Sequence, residues 1–139
     1  MKNCPLCRIV RGLEEACVLY EDPTVIAVLH CAPVTRGHTL LFPKQHYASA
    51  TIVPHDTLAA MAVAAPKLAQ ALVRAVDAHG FNLHLANDDV AGQVFPHTHQ
   101  HIIPRRADDG FAWNWRCLEN AADDDDEIRA KVRRRLAED

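Results

Sequence analysis

Three histidines in alternate positions, His97, His99 and His101, follow a small-residue turn, Ala91-Gly92-Gln93, and run into Pro104-Arg105. As a strand, this spacing puts all three imidazoles on one face, about 6.5–7 Å apart, with Thr98, Gln100 and Ile102 on the other. On a helix the same residues would fan apart. Pro104 is expected to end the strand, because proline cannot continue a central ladder. A neutral imidazole is a nucleophile near neutral pH and also a good zinc ligand. The row therefore admits three readings. It is a hydrogen-bonded histidine face, a His-x-His metal chelate, or a phosphoryl-transfer site where one imidazole attacks phosphorus and its neighbours serve the phosphate and leaving group.

The second chemical group is Cys4-Pro5-Leu6-Cys7. A Cys-x-x-Cys pair is a redox pair, half of a zinc site, or chance. The redox reading expects a strand leading into the pair, and only three residues precede it. Half of a zinc site fits better and requires two more ligands from elsewhere.

The remaining chain supplies the elements that position these groups. Arg8 to Glu15 reads as a short helix or turn. Residues 17–20, 25–30 and 38–43 read as three strands of a meander, separated by turns at Glu21-Asp22-Pro23-Thr24 and around Gly37. His55 to His79 is the main helix: Leu58, Met61, Ala65, Leu68, Leu72 and Val76 recur at steps of three or four, with Pro66 inside and Gly80 as the expected stop. Phe81 to Ala86 is a strand leading to the histidine row. Beyond Arg106, Phe111, Trp113 and Trp115 alternate as an aromatic row that packs on the body or a partner, with a stacking platform for a base as the alternative. A last helix carries Ile128, Val132 and Leu136. Its acidic start, Asp123 to Asp126, and its Arg133-Arg134-Arg135 end complement the helix dipole.

The 139 residues suit one domain, 49% hydrophobic and 24% charged, with a net charge of −3. That charge argues against general attraction to nucleic acid or an anionic membrane. No apolar run approaches the roughly 20 residues of a membrane span, and Met1-Lys2-Asn3-Cys4 lacks an apolar signal core, so a cytoplasmic location is expected. The five cysteines then read as reduced thiols or metal ligands.

Taken together, Gly37-His38, Pro43-Lys44-Gln45-His46, Ala86-Asn87, Ala91-Gly92-Gln93 and His97 to Arg105 resemble the histidine triad (HIT) family over residues 4–106, with 107–139 as an extension. The leading Cys-x-x-Cys resembles the zinc-bearing bacterial branch. The resemblance implies an α+β fold: a five-stranded antiparallel sheet with one long helix, continued across the two-fold of a homodimer. It implies hydrolysis or transfer at the α-phosphate of a nucleotide conjugate, without an organic cofactor. His99 would be the nucleophile that forms a covalent nucleotidyl-histidine. His101 would hold the phosphate, with His38 behind it, and Gln93 and Asn87 would serve the reacting end. Structural Zn2+ would be held by Cys4, Cys7, His46 and His97. One position departs from the family pattern. His30 stands where an Asp usually binds the ribose hydroxyls, so His30 is either a ribose contact or a core histidine. That departure sustains an alternative, a zinc-bearing nucleotide-binding or regulatory protein with little turnover.

Overall fold

The computed structural model describes residues 4–113 and 125–138. In chain order the elements are α1 (Pro5–Val10), β1 (Val18–Glu21), β2 (Val25–Leu29), β3 (Thr39–Pro43), α2 (His55–Ala75), β4 (Gly80–Leu85), β5 (Gln100–Arg105) and α3 (Asp125–Leu136). The strands form one antiparallel sheet in the order β1-β2-β3-β5-β4. This is the expected α+β architecture. Its histidine strand lies between β3 and β4.

The meander follows from local chemistry. Asp22 Oδ1 accepts the backbone N–H groups of Thr24 and Val25, each at 2.7 Å, which closes the first turn and starts β2. Gly37 holds a positive φ of 84° just before His38, and a Cβ there would meet Val76 Cγ1 at 3.1 Å and Pro104 Cγ at 3.3 Å. Only glycine brings the chain into β3 at that point.

Register divides the sheet into two faces. Val25, Ala27, Leu41 and Ile102 pack under α2 residues Met61, Ala64, Ala65, Ala69 and Leu72. Ile26, Val28, Leu40 and Phe42 pack with Cys4, Leu6 and Cys7 of the N-terminal segment. Helix α1 is short, so the second face is covered at one end only. The other end of that face carries the histidines.

Several boundaries differ from expectation. The short helix covers Pro5–Val10, starting between Cys4 and Cys7 and including Cys7, because Pro5 sits at the first turn where its missing N–H costs nothing. Helix α2 stops at Ala75, with Asp77 at φ 52° making the reversal, and Gly80 already belongs to β4. The short Asp side chain tolerates this left-handed conformation. Strand β5 begins only at Gln100 and runs through Pro104, which pairs with Phe81. Proline is accepted there because pairing with β3 ends at Thr39 and Ile102, and the Pro104 carbonyl instead accepts the Thr35 hydroxyl at 2.8 Å. Helix α2 is, by length and composition, apolar enough to cross a membrane, contrary to the reading that no such run exists; its inner face is spent on the sheet.

Phe111 lies under the Arg105 guanidinium at 4.7 Å and meets Trp113 edge-on at 5.1 Å. Trp113 in turn lies 5.1 Å from His84. Trp115, Asp123 and Asp124 fall outside the described residues. The apolar positions of α3, Ile128, Val132 and Leu136, are exposed.

Candidate functional site

Pairing places His84 opposite His101 and His101 opposite Leu40, so their side chains share one face with His38, two residues before Leu40. His30 joins through its N–H to the His38 carbonyl at 2.8 Å. A row of imidazoles thus crosses the sheet from the end of β2 to β4. His30 stacks on His38 at 4.5 Å, His38 lies 5.1 Å from His101, and His101 lies 5.9 Å from His84. His99 meets His101 edge-on at 5.1 Å. His84 was not singled out from sequence; its alternation with Leu83 and Leu85 is the signal that could have found it.

The hydrogen bonds fix which nitrogens carry protons. The Val34 N–H donates to His38 Nδ1 at 3.2 Å, so the His38 proton is on Nε2 and donates to His101 Nδ1 at 2.8 Å. His101 then presents Nε2–H. His99 Nδ1 lies 2.7 Å from the His97 carbonyl and must donate to it, which leaves Nε2 bare. The Ala32 N–H donates to His30 Nδ1 at 2.9 Å, so His30 also presents Nε2–H.

These rings stay neutral. Burial, aided by His30, pushes His38 down to about 4. Burial, with His99 and then His38, His30 and His84, pushes His101 down to about 3. Burial also lowers His99, against the opposing hydrogen bond to His97, and lowers His30.

His97 is separated from this row. The segment before β5 bends, with the Thr98 N–H bonded to the Tyr47 carbonyl at 2.6 Å. The expected single strand face therefore holds for His101 and its neighbours only. The His97 ring turns into the corner made by Cys4, Cys7 and His46, whose ligand atoms all lie within 4.8 Å of one another. Cys4 Sγ and Cys7 Sγ each lie 3.5 Å from His97 Nδ1, and Cys7 Sγ lies 3.3 Å from His46 Nδ1. A tetrahedral zinc with ordinary Zn–S and Zn–N bonds separates such atoms by about 3.5 Å. The Pro43 carbonyl accepts from His97 Nε2 at 2.8 Å, which frees Nδ1 for a metal. The donor set fits Zn2+.

His30, His38 and His101 also sit close enough to hold an ion. Both His38 nitrogens are already engaged, and a ligating His38 Nε2 would force its proton onto Nδ1, against the Val34 N–H.

Gln93 departs from its expected role. Its Nε2 donates to the Ala48 and Phe95 carbonyls, each at 2.8 Å, and its Oε1 accepts the Asp88 N–H at 2.8 Å. Neither donor is left for a phosphate. The bond instead braces Asp88, whose φ of 68° and ψ of 160° lie in a region ordinarily left to glycine. Asn87 Oδ1 accepts from the Ser49 hydroxyl at 3.1 Å and the Ala50 N–H at 2.8 Å, tying the 50–52 turn to the loop.

Beside the row lies a groove of about 540 Å³, lined by Leu6, Ile9, Val28, Leu40, Phe95 and His30 among others. The Phe95 ring, part of this lining, lies 5.9 Å from the His99 ring.

A two-faced antiparallel sheet with a row of histidines on its open face places the chain among α+β proteins of the histidine triad class. The chain belongs to the HIT family, whose domain model matches residues 11–108. It is 40% identical over 107 residues to "Adenylylsulfatase HINT3" of Arabidopsis thaliana, covering 77% of this chain and 54% of that protein, so it spans about half of that relative's length. A HIT family protein from Bacillus anthracis superposes with a TM-score of 0.87 at 32% identity, covering 95% of this chain and 96% of that one. A zinc-bound histidine triad protein from Mycobacterium smegmatis superposes with a TM-score of 0.76 at 31% identity, covering 99% of each chain.

Proposed function

We propose that the chain is a nucleotide-conjugate hydrolase or nucleotidyl transferase that works through a covalent nucleotidyl-histidine at His99. The observation that carries the reading is the His99 tautomer: Nδ1–H is held by the His97 carbonyl at 2.7 Å, so Nε2 is bare, on a ring 5.9 Å from the Phe95 that lines a nucleoside-sized groove. Such a nitrogen needs no activating base.

In the first step His99 Nε2 bonds to the α-phosphorus, and the bond from phosphorus to the leaving group breaks, the leaving group taking the electron pair. Water then cleaves the P–N bond, releases the nucleoside monophosphate and restores His99. The proton that water gives up balances the one the leaving group takes. His101 Nε2–H donates to a phosphate oxygen, and His38, by donating to His101 Nδ1, keeps that proton outward. The low affinity of these buried rings for protons keeps His101 as this single tautomer through neutral pH. Gln93 and Asn87 act at one remove, by holding the loop that brings Phe95 to the groove.

Cys4, Cys7, His46 and His97 would hold Zn2+, which when bound closes a four-ligand structural site. That a plant relative is named an adenylylsulfatase supports substrates in which an adenylyl phosphate carries a good leaving group. The test is incubation with adenosine 5′-phosphoramidate and with adenosine 5′-phosphosulfate, following release of AMP. The reading expects turnover of at least one and loss of about 10³-fold or more in His99→Asn, because nothing else supplies the covalent step. Near-wild-type rates in that variant would overturn it.

A further inference from the structure

His30 belongs to two neighbourhoods at once. It is the imidazole of the row that lines the apolar groove, and it also stacks on His38 and lies 5.9 Å from His101. A nucleotide with its base in the groove and its phosphate between His99 and His101 must carry its sugar past His30. What His30 offers there is set by the Ala32 N–H, which occupies Nδ1 at 2.9 Å. The ring shows the sugar one N–H and no acceptor.

That is a poor reader of a ribose diol. A carboxylate accepts from both hydroxyls, and a sugar lacking one leaves its charge half-satisfied, which is how sites acquire strong preference for a hydroxyl. A single neutral N–H bonds one oxygen, and the half-buried ring can give that N–H to water when the oxygen is missing. Two acids also line the groove. Glu14 is bound to Arg8 at 3.0 Å. Glu15, also in the groove lining, is exposed.

We infer that His30 makes this chain indifferent to the sugar, so that it processes deoxyribonucleotide and ribonucleotide conjugates alike. The inference rests on the nucleotidyl-transfer reading above and specifies its substrate class. The test compares adenosine, 2′-deoxyadenosine and 3′-deoxyadenosine 5′-phosphoramidates on the purified full chain, with binding of AMP and dAMP measured by calorimetry. The expected kcat/KM values lie within about threefold of one another, as for a lost exposed neutral hydrogen bond. His30→Asp should restore a preference for ribose of about tenfold or more, chiefly in KM. A wild-type preference above about thirtyfold would overturn the inference while leaving the reaction standing, and loss of that preference in Glu15→Gln would name Glu15 as the reader instead. No turnover of any of the three, with no adduct on His99, would overturn the reaction and this inference together.

Discussion

Gln93 shows how a residue type and its placement can suggest different roles. An amide ahead of the histidine row reads as a phosphate donor, yet all three of its hydrogen bonds go to backbone groups at Asp88, Ala48 and Phe95. Gln93→Ala should remove all three bonds, whose backbone partners at Ala48 and Asp88 are exposed and can turn to water, and lower stability by about 1–2 kcal/mol, read as a shift in the urea midpoint. Asp88→Gly should move the midpoint the other way, by about 1 kcal/mol, by relieving the φ of 68°. A Gln93→Ala variant of wild-type stability that loses only rate would show the amide at the phosphate after all. The buried imidazoles have a pH signature. His38 and His101 hold protons in the folded chain only below about 4 and about 3. In the unfolded chain they take protons from about 6.5 downward. Stability should therefore be full above pH 6.5 and fall as pH drops toward 4, because the unfolded state binds protons that the folded state refuses. The loss of Tm between pH 6.5 and 4.5 should be smaller in His101→Asn than in wild type; an equal loss in both would place the acid sensitivity elsewhere.

At the scale of elements, α1 and the bend before β5 meet at one corner, and the proposed nucleophile, His99, is positioned by both. His97 turns its ring to Cys4, Cys7 and His46 while its carbonyl takes the His99 Nδ1 proton. Ring and carbonyl belong to one residue, so a metal that pins the ring also pins the tautomer. The protein as isolated without a histidine tag should hold about one Zn2+ per chain, and Cys7→Ser should lose it with a Tm lower by about 10 °C or more. Full occupancy in a Cys4/Cys7 double variant would remove the four-ligand site. The cysteine pair and the histidine spacing were legible in the sequence because they depend on type and order alone. The first four strands were legible to within a residue or two for a similar reason: Val25 to Leu29 and Thr39 to Pro43 are apolar runs between turn residues. The bend at 95–99 was not, because alternation reads as a strand until Thr98 is seen bonding Tyr47, a contact set by a distant loop. Nor was the end of α2, where Asp77 rather than Gly80 makes the reversal. The neutral relay from His38 to His101 also depends on register between strands, which no local pattern carries.

For the whole molecule, among the described residues, the sheet has two free edges, β1 and β4. On β4, Phe81 and Leu83 are 42% and 41% exposed, and Phe81 shares a shallow surface with Val63, Pro66 and Val73 of α2. An apolar edge of this kind invites pairing with a second copy, as the homodimer expectation requires. Light scattering should give the mass of a dimer at micromolar concentration, and Leu83→Arg should give a monomer; a monomeric wild type would refute the shared sheet. The central claim, however, is the covalent step, and it belongs to the whole molecule because three separate parts converge on the His99 ring: the Cys2His2 corner through His97, the strand row through His101 and the groove through Phe95. Rapid mixing of the zinc-loaded protein with adenosine 5′-phosphoramidate, acid-free quenching and intact mass measurement tests it most directly. The account predicts a mass increase of one adenylyl group per chain, mapped to the peptide carrying His99 and absent in His99→Asn. Turnover with no adduct at any time, or an adduct that maps to a different residue, would contradict it.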